Sequence, residues 1–174
     1  MQSRLPAFAA LCLAVAPLSA YAQDTAKPAS LGTAKDWSAY TANEKSTLVC
    51  YVVGHPTKSL PTNATRKRVD LQVTHRPGDK ALNVVDFELG YTAKPGSSAE
   101  LDIDGKKFAL FTNKESAWAS DAATDKAVTN ALAKGKRATI KATSDHGANT
   151  TDTYTLAGFG QALALADKAC SVKR

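Results

Sequence analysis

The sequence predicts an α+β, mostly β domain: antiparallel, sandwich-like sheets with two short helices, the C-terminal one linked by a disulfide to an early strand. Three observations predict it. Short runs of alternating apolar residues recur between proline and glycine turns from Leu48 to Phe111. The spacing becomes helical only after Trp118 and again after Gly158. Cys50 lies in an early apolar run, and Cys170 ends the last helical pattern on its apolar stripe.

The chain has 174 residues, 44% hydrophobic and 22% charged, with 22 Lys+Arg against 16 Asp+Glu and a formal net charge of +6. That is one soluble domain, too apolar for a uniformly polar disordered chain and without the repeated 20-residue apolar runs of a polytopic membrane protein. At the N-terminus Arg4 precedes an apolar stretch from Leu5 to Leu18, and Ala20-Tyr21-Ala22 stands before Gln23. Residues 1–22 therefore read as a cleaved signal peptide. The stretch is short for a membrane span and is broken by Pro6 and Pro17. Cys12 sits inside the run after Leu11, which does not fit a lipoprotein site.

Removing 22 of the 174 residues leaves 152, takes away Arg4 and Cys12, and lowers the charge from +6 to +5. No transmembrane span is expected in what remains. Export to the periplasm, with outer-membrane association or secretion as variants, makes Cys50 and Cys170 a disulfide pair. Such a bridge stabilises by about 4–5 kcal/mol in the chain-entropy model.

Residues 23–35, built of Ala, Thr, Lys, Pro, Ser and Gly, read as a flexible lead-in to a single domain over 36–174. Trp37 and Tyr40 are the first core anchors. Leu48 to Val53 reads as a buried strand that His55-Pro56 ends. Val69, Leu71 and Val73 alternate with Arg68, Asp70, Gln72 and Thr74, and Pro77-Gly78-Asp79 supplies a turn. Val85, Phe87, Leu89 and Tyr91 repeat the pattern against Asp86 and Glu88, before Lys94-Pro95-Gly96-Ser97.

Asp104-Gly105 between apolar runs predicts a two-residue type I′ hairpin with Leu101 opposite Phe108, Asp102 opposite Lys107 and Ala99 opposite Leu110. Asp102-x-Asp104 is not a calcium loop, because Lys106 occupies the next ligand position. Ala127, Val128, Ala131 and Leu132 form a helical face, with Asp121 as its cap and Gly135 at its end. Arg137 to Thr143 and Thr151 to Leu156 then form a second hairpin around Asp145-His146-Gly147-Ala148-Asn149. Phe159, Ala162, Leu163, Ala166 and Cys170 make the stripe of the last helix, and Gly158 permits a tight junction before it.

The ordered residues Cys50-Tyr51, Thr74-His75-Arg76-Pro77, Gly90-Tyr91, Ile103-Asp104-Gly105, Phe108 to Thr112, Ala117-Trp118-Ala119, Lys134-Gly135, Thr151 to Phe159, Ala162-Leu163 and Cys170 resemble the invasion-associated locus B (IalB) family of exported alphaproteobacterial proteins. The resemblance spans nearly the whole exported chain; Thr155 and Ala157 depart from it where serine is frequent. It implies a periplasmic or surface-associated, disulfide-containing β-rich domain linked to host-cell entry in pathogenic members, and it implies no catalytic mechanism.

The chemistry-bearing residues agree with a non-enzymatic reading. His55, His75 and His146 lie in separate segments, without zinc spacing. Ser144, Asp145 and His146 are neighbours in a turn and cannot orient one another as a triad. Gly158-x-Gly160 lacks the residues that hold phosphate. Neither metal nor cofactor is expected. His75 continues the inward parity of Val73 and reads as a structural histidine.

Arg66-Lys67-Arg68 is the densest cationic run, and Arg76 points outward by parity; these four are the candidate binding residues. Lys106, Lys107, Lys134, Lys136 and Arg137 add positive charge elsewhere. Export and the lack of an aromatic ladder exclude nucleic acid, leaving a protein, an anionic lipid or a glycan at the envelope or host surface as the expected partner. The competing readings are a structural envelope-stability factor and a hydrolase of envelope polymers.

Overall fold

The computed structural model describes residues 27–62 and 65–174; the expected signal peptide, 1–22, lies outside them. The described residues form eleven strands: β1 (Ala29–Ala34), β2 (Trp37–Glu44), β3 (Thr47–Gly54), β4 (Lys58–Leu60), β5 (Asp70–Arg76), β6 (Ala81–Glu88), β7 (Ser98–Ile103), β8 (Lys106–Asn113), β9 (Ser116–Trp118), β10 (Arg137–Thr143) and β11 (Asn149–Thr155). They pair antiparallel in one sheet of order β1-β2-β3-β5-β6-β9-β8-β7-β10-β11-β4. The helices are α1 (Ala122–Lys134) and α2 (Phe159–Ala169).

The sheet brings its two halves together over one core, which makes it sandwich-like. Trp37 on β2 donates its indole N–H to the Thr155 carbonyl of β11 at 2.9 Å. The Phe87 ring of β6 stands edge-on to Tyr154 of β11, with centroids 5.9 Å apart. Val52, Leu71, Val73, Val85, Leu101, Leu110 and Ile140 fill the space between, all buried. Burial of such side chains contributes about 1.5–3 kcal/mol each, which sets the register of every strand that carries them.

The segment expected as a flexible lead-in, 23–35, instead contains β1, which pairs with β2 from Ala29 opposite Thr41 to Ala34 opposite Trp37. Its small residues give no apolar alternation, yet main-chain pairing needs none, and their size admits α2. A Cβ on Gly32 would stand 3.0 Å from Leu165 Cδ1. The strand expected over Arg68–Thr74 begins at Asp70 and runs to Arg76, and Pro77–Asp79 forms a single 3₁₀ turn.

The Asp104-Gly105 hairpin has the expected register, with Leu101 opposite Phe108, Asp102 opposite Lys107 and Ala99 opposite Leu110. Both turn residues have positive φ, 49° and 92°, as a type I′ turn requires. Lys107 Nζ nevertheless reaches Glu100 Oε1 at 3.1 Å, while Asp102 Oδ1 accepts the Gly105 N–H.

Asp121 caps α1 by accepting the Thr124 N–H at 2.8 Å. The buried face of α1 is partly polar: Asp125 accepts the Val85 N–H, and Thr129 donates to the Asn83 carbonyl, tying the helix to β6. Helix α2 presents Phe159, Ala162, Leu163 and Ala166 to the core. Gly158 starts it with φ 93°, where a Cβ would lie 2.2 Å from the Ala34 carbonyl oxygen, so no other residue fits without moving β1. Cys170 then meets Cys50 of β3 in a disulfide with Cα atoms 6.0 Å apart, as expected.

Candidate functional site: a polar groove on β7, β10, β11 and β4

The four candidate binding residues do not form an open cationic patch, because each is matched by a carboxylate of the same chain. Arg66 is the largest departure. Its side chain is 8% exposed and forms a bidentate pair with Asp152, itself 1% exposed, with both N···O distances 2.7 Å. Its Nε also donates to the Leu89 carbonyl at 2.9 Å, and its guanidinium lies 5.1 Å from the Tyr91 ring centroid. Burial pulls the Arg66 pKa down, but the hydrogen bond and charge of Asp152 outweigh it, and the net direction is up. Arg66 is thus an internal tie between the residue 66 segment, β11 and the end of β6.

The other three pair nearer the surface. Lys67 meets Glu115 at 2.5 Å, and Arg76 meets Glu44. Arg68 Nε stands 2.6 Å from Asp70 Oδ2, off the direction of a hydrogen bond, so the Asp70 carboxylate has charge compensation but no hydrogen-bond donor. Alternation places Asp70 outward, but it is buried, and burial raises its pKa. One turn of the ladder away, burial and then the charges of Glu88 and Asp70 push Asp86 up to about 7. This region holds its own opposite charges in contact, and little field remains to attract a partner.

On the β10 side of the sheet the cations are less closely matched: Lys107 holds Glu100, while Lys141, directly opposite Glu100 on the ladder, makes no ion pair among the described residues. Two adjoining cavities share Glu100 and Lys141 and form one groove across β7, β10, β11 and β4. The larger, of about 510 Å³, is lined by Lys58, Lys107, Arg137, Lys141, Thr139, Thr153, Glu100, Asp102, Asp104 and Gly105. Its neighbour, of about 370 Å³, continues past Thr143, Asn149 and Thr151 to Ser98.

Strand alternation explains the lining. Arg137, Thr139, Lys141 and Thr143 occupy every second position of β10, while Ala138, Ile140 and Ala142 point to the core. On β11 Thr153 lies opposite Thr139 and Thr151 opposite Lys141. The three residues of β4 then set Lys58 beside Thr153. Three cations from two strands thereby surround a floor of hydroxyls.

Among the described residues none of the ion pairs includes Lys58, Arg137 or Lys141. The groove carboxylates are engaged locally: Asp104 accepts the N–H groups of Lys136 and Arg137, Asp102 that of Gly105, and Glu100 the ammonium of Lys107. Arg137 was visible in the sequence as surplus charge. Lys58 and Lys141 were not singled out; the outward parity of Lys141 two positions after Thr139 was the available signal.

A family model for the Invasion associated locus B (IalB) protein matches residues 37–167. The chain belongs to this family. Neither the curated proteins nor the solved structures include a significant match to it. The matched span of this IalB domain runs from Trp37 to Asp167, so it includes every groove residue and excludes Cys170.

Within the IalB domain His75 is buried, as its parity predicts. Its Nδ1 accepts the Asn83 N–H at 3.0 Å, and its Nε2 stands 3.0 Å from Asp167 Oδ1 on α2, off the direction of a hydrogen bond. Burial raises the Asp167 pKa, but His75 beside it and the two hydrogen bonds from Arg174 outweigh burial and hold the carboxyl low. Cys50 lies directly opposite His75 on β3. The Thr-His-Arg segment therefore fastens α2 beside the disulfide. Among the described residues no group of three His, Cys, Asp or Glu side chains is placed to hold a metal ion.

Proposed function

We propose that this IalB protein is an exported, non-enzymatic interaction module of the cell envelope, and that its groove on β7, β10, β11 and β4 engages an anionic partner at the envelope or a host surface. The observation that carries this reading is the contrast within one molecule: Lys58, Arg137 and Lys141 line a concave surface without ion pairs among the described residues, while the cations at 66–76 are paired. Family membership supports an invasion-associated role, and the signal-like residues 1–22 support export.

A hydrolytic role has less support. His55 acts on the buried carboxylate of Asp70 and His75 on that of Asp167, but Asp70 is only 1% exposed with Arg68 beside it, and His75 is itself fully buried. A general acid must reach its substrate.

Co-sedimentation of the oxidised protein with isolated envelopes tests the reading. Association should weaken between low and physiological salt, as screening shortens the reach of exposed charges to about 8 Å, and should weaken further in the Lys58→Ala/Arg137→Ala/Lys141→Ala variant. Equal association of this variant and the parent protein would remove the groove from the function.

A further inference from the structure

We infer that the groove takes a linear, sparsely charged acidic polysaccharide, a chain rich in hydroxyls that carries isolated carboxylates. This deepens the binding reading above and rests on it. The shape comes first. The groove follows the seven residues of β10 from Arg137 to Thr143, about 20 Å at the rise of a strand, so it suits an extended chain rather than a compact headgroup.

The charge spacing comes second. Arg137 and Lys141 stand about 13 Å apart along β10, and Lys58 lies two strands across from Thr139, about 10 Å away. Separated single cations match separated single anions. Four cations line the larger cavity against three carboxylates; Asp102 and Asp104 stand at the hairpin end, and Glu100, directly opposite Lys141, is held by Lys107. A polymer with an anion on every unit would meet those carboxylates; one with anions at intervals can turn them toward β10 and β4 and offer hydroxyls to β7.

The floor comes third. Thr139, Thr143, Thr151, Thr153, Ser98 and Asn149 supply donors and acceptors matched to sugar hydroxyls, each bond oriented by a side chain rooted on a strand. Among the described residues no aromatic side chain lines either cavity, which disfavours base stacking and removes the anchors of a protein interface core. The cations are set in a concave surface rather than on a protruding apolar rim, so a flat bilayer would not reach them together.

The test measures binding of the oxidised protein to four probes at fixed ionic strength: hyaluronan, heparin, dextran and phosphatidylglycerol vesicles. Hyaluronan should bind, dextran should not, and Lys58→Ala/Arg137→Ala/Lys141→Ala should weaken hyaluronan binding about tenfold or more, as three lost charge contacts imply. Lys67→Ala/Arg68→Ala should bind as the parent does, and far-ultraviolet circular dichroism of both variants should match the parent.

Tighter binding to heparin than to hyaluronan would overturn the sparse-charge assignment. Binding to vesicles alone would replace the glycan with a membrane. If all four probes fail while envelopes still bind through the groove residues, this inference falls and the proposed function stands; if envelope binding is indifferent to those residues, both fall.

Discussion

Two cationic regions of this molecule have the same raw material and different outcomes. Arg66, Lys67, Arg68 and Arg76 are close in sequence, and each meets a carboxylate: Asp152, Glu115 and Glu44 come from distant segments, and Asp70 from two residues beyond Arg68. Arg137 and Lys141 share β10, Lys58 lies about 80 residues earlier on β4, and the sheet gathers the three around a groove without an ion pair among the described residues. Density of charge along the chain does not measure the field a surface presents. What counts is whether the fold brings a counter-charge to each cation, and that is decided by strand pairing.

The largest test of this contrast is Arg66→Ala. It leaves Asp152 as a buried, unpaired carboxylate and should lower stability by about 3–5 kcal/mol in denaturant unfolding. Retained polysaccharide affinity in the folded fraction would mark Arg66 as internal. A loss below about 1 kcal/mol would show that the pair is solvated and the two regions are alike.

Next comes Lys141→Ala alone, removing the cation shared by both cavities. Binding should fall about threefold to fivefold, with stability within about 0.5 kcal/mol of the parent. A large change in the unfolding midpoint would mean that Lys141 has a structural partner.

The paired region also carries crowded carboxylates, and Asp86 reports on them. Its pKa, raised to about 7 in the folded protein, lies above its ordinary value of 3.8. Folding therefore favours the protonated form: the contribution is fully present below about 4, is lost as pH rises through 7, and is absent above. Asp86→Asn should stabilise by about 1 kcal/mol at pH 8, allowing for solvent around a partly exposed group, and the gain should shrink by pH 5. A gain independent of pH would contradict the assignment.

The smallest effect is expected for Arg76→Ala. Arg76 pairs with Glu44 at the surface, so binding should be unchanged. A loss equal to that of Lys141→Ala would move the interaction surface to β5.

Legibility in the sequence followed the range of the interactions. The Asp104-Gly105 hairpin was readable to the residue because turn chemistry, apolar alternation and cross-strand pairing are all local. The last helix was readable from its stripe, and the disulfide from an expected export signal plus an even cysteine count in the remaining chain. β1 was not, since Ala29–Ala34 owes its strand form to β2 and α2 rather than to its own pattern. β4 is three residues long and exists through its pairing with β11.

The burial of Arg66 depends on Asp152, 86 residues away, and no local spacing announces it. The groove had the same difficulty in a milder form. Arg137 could be seen as surplus charge, whereas Lys58 gains its place only when Lys58 and Thr153 come together.

The most direct measurement is amide chemical-shift mapping on the isotope-labelled, oxidised protein during titration with hyaluronan oligosaccharides. The shifts should concentrate on Thr139, Lys141, Thr151, Thr153 and Lys58 and leave Lys67, Arg68 and Arg76 in place. Shifts centred on residues 66–76, or none at saturating oligosaccharide, would contradict the account.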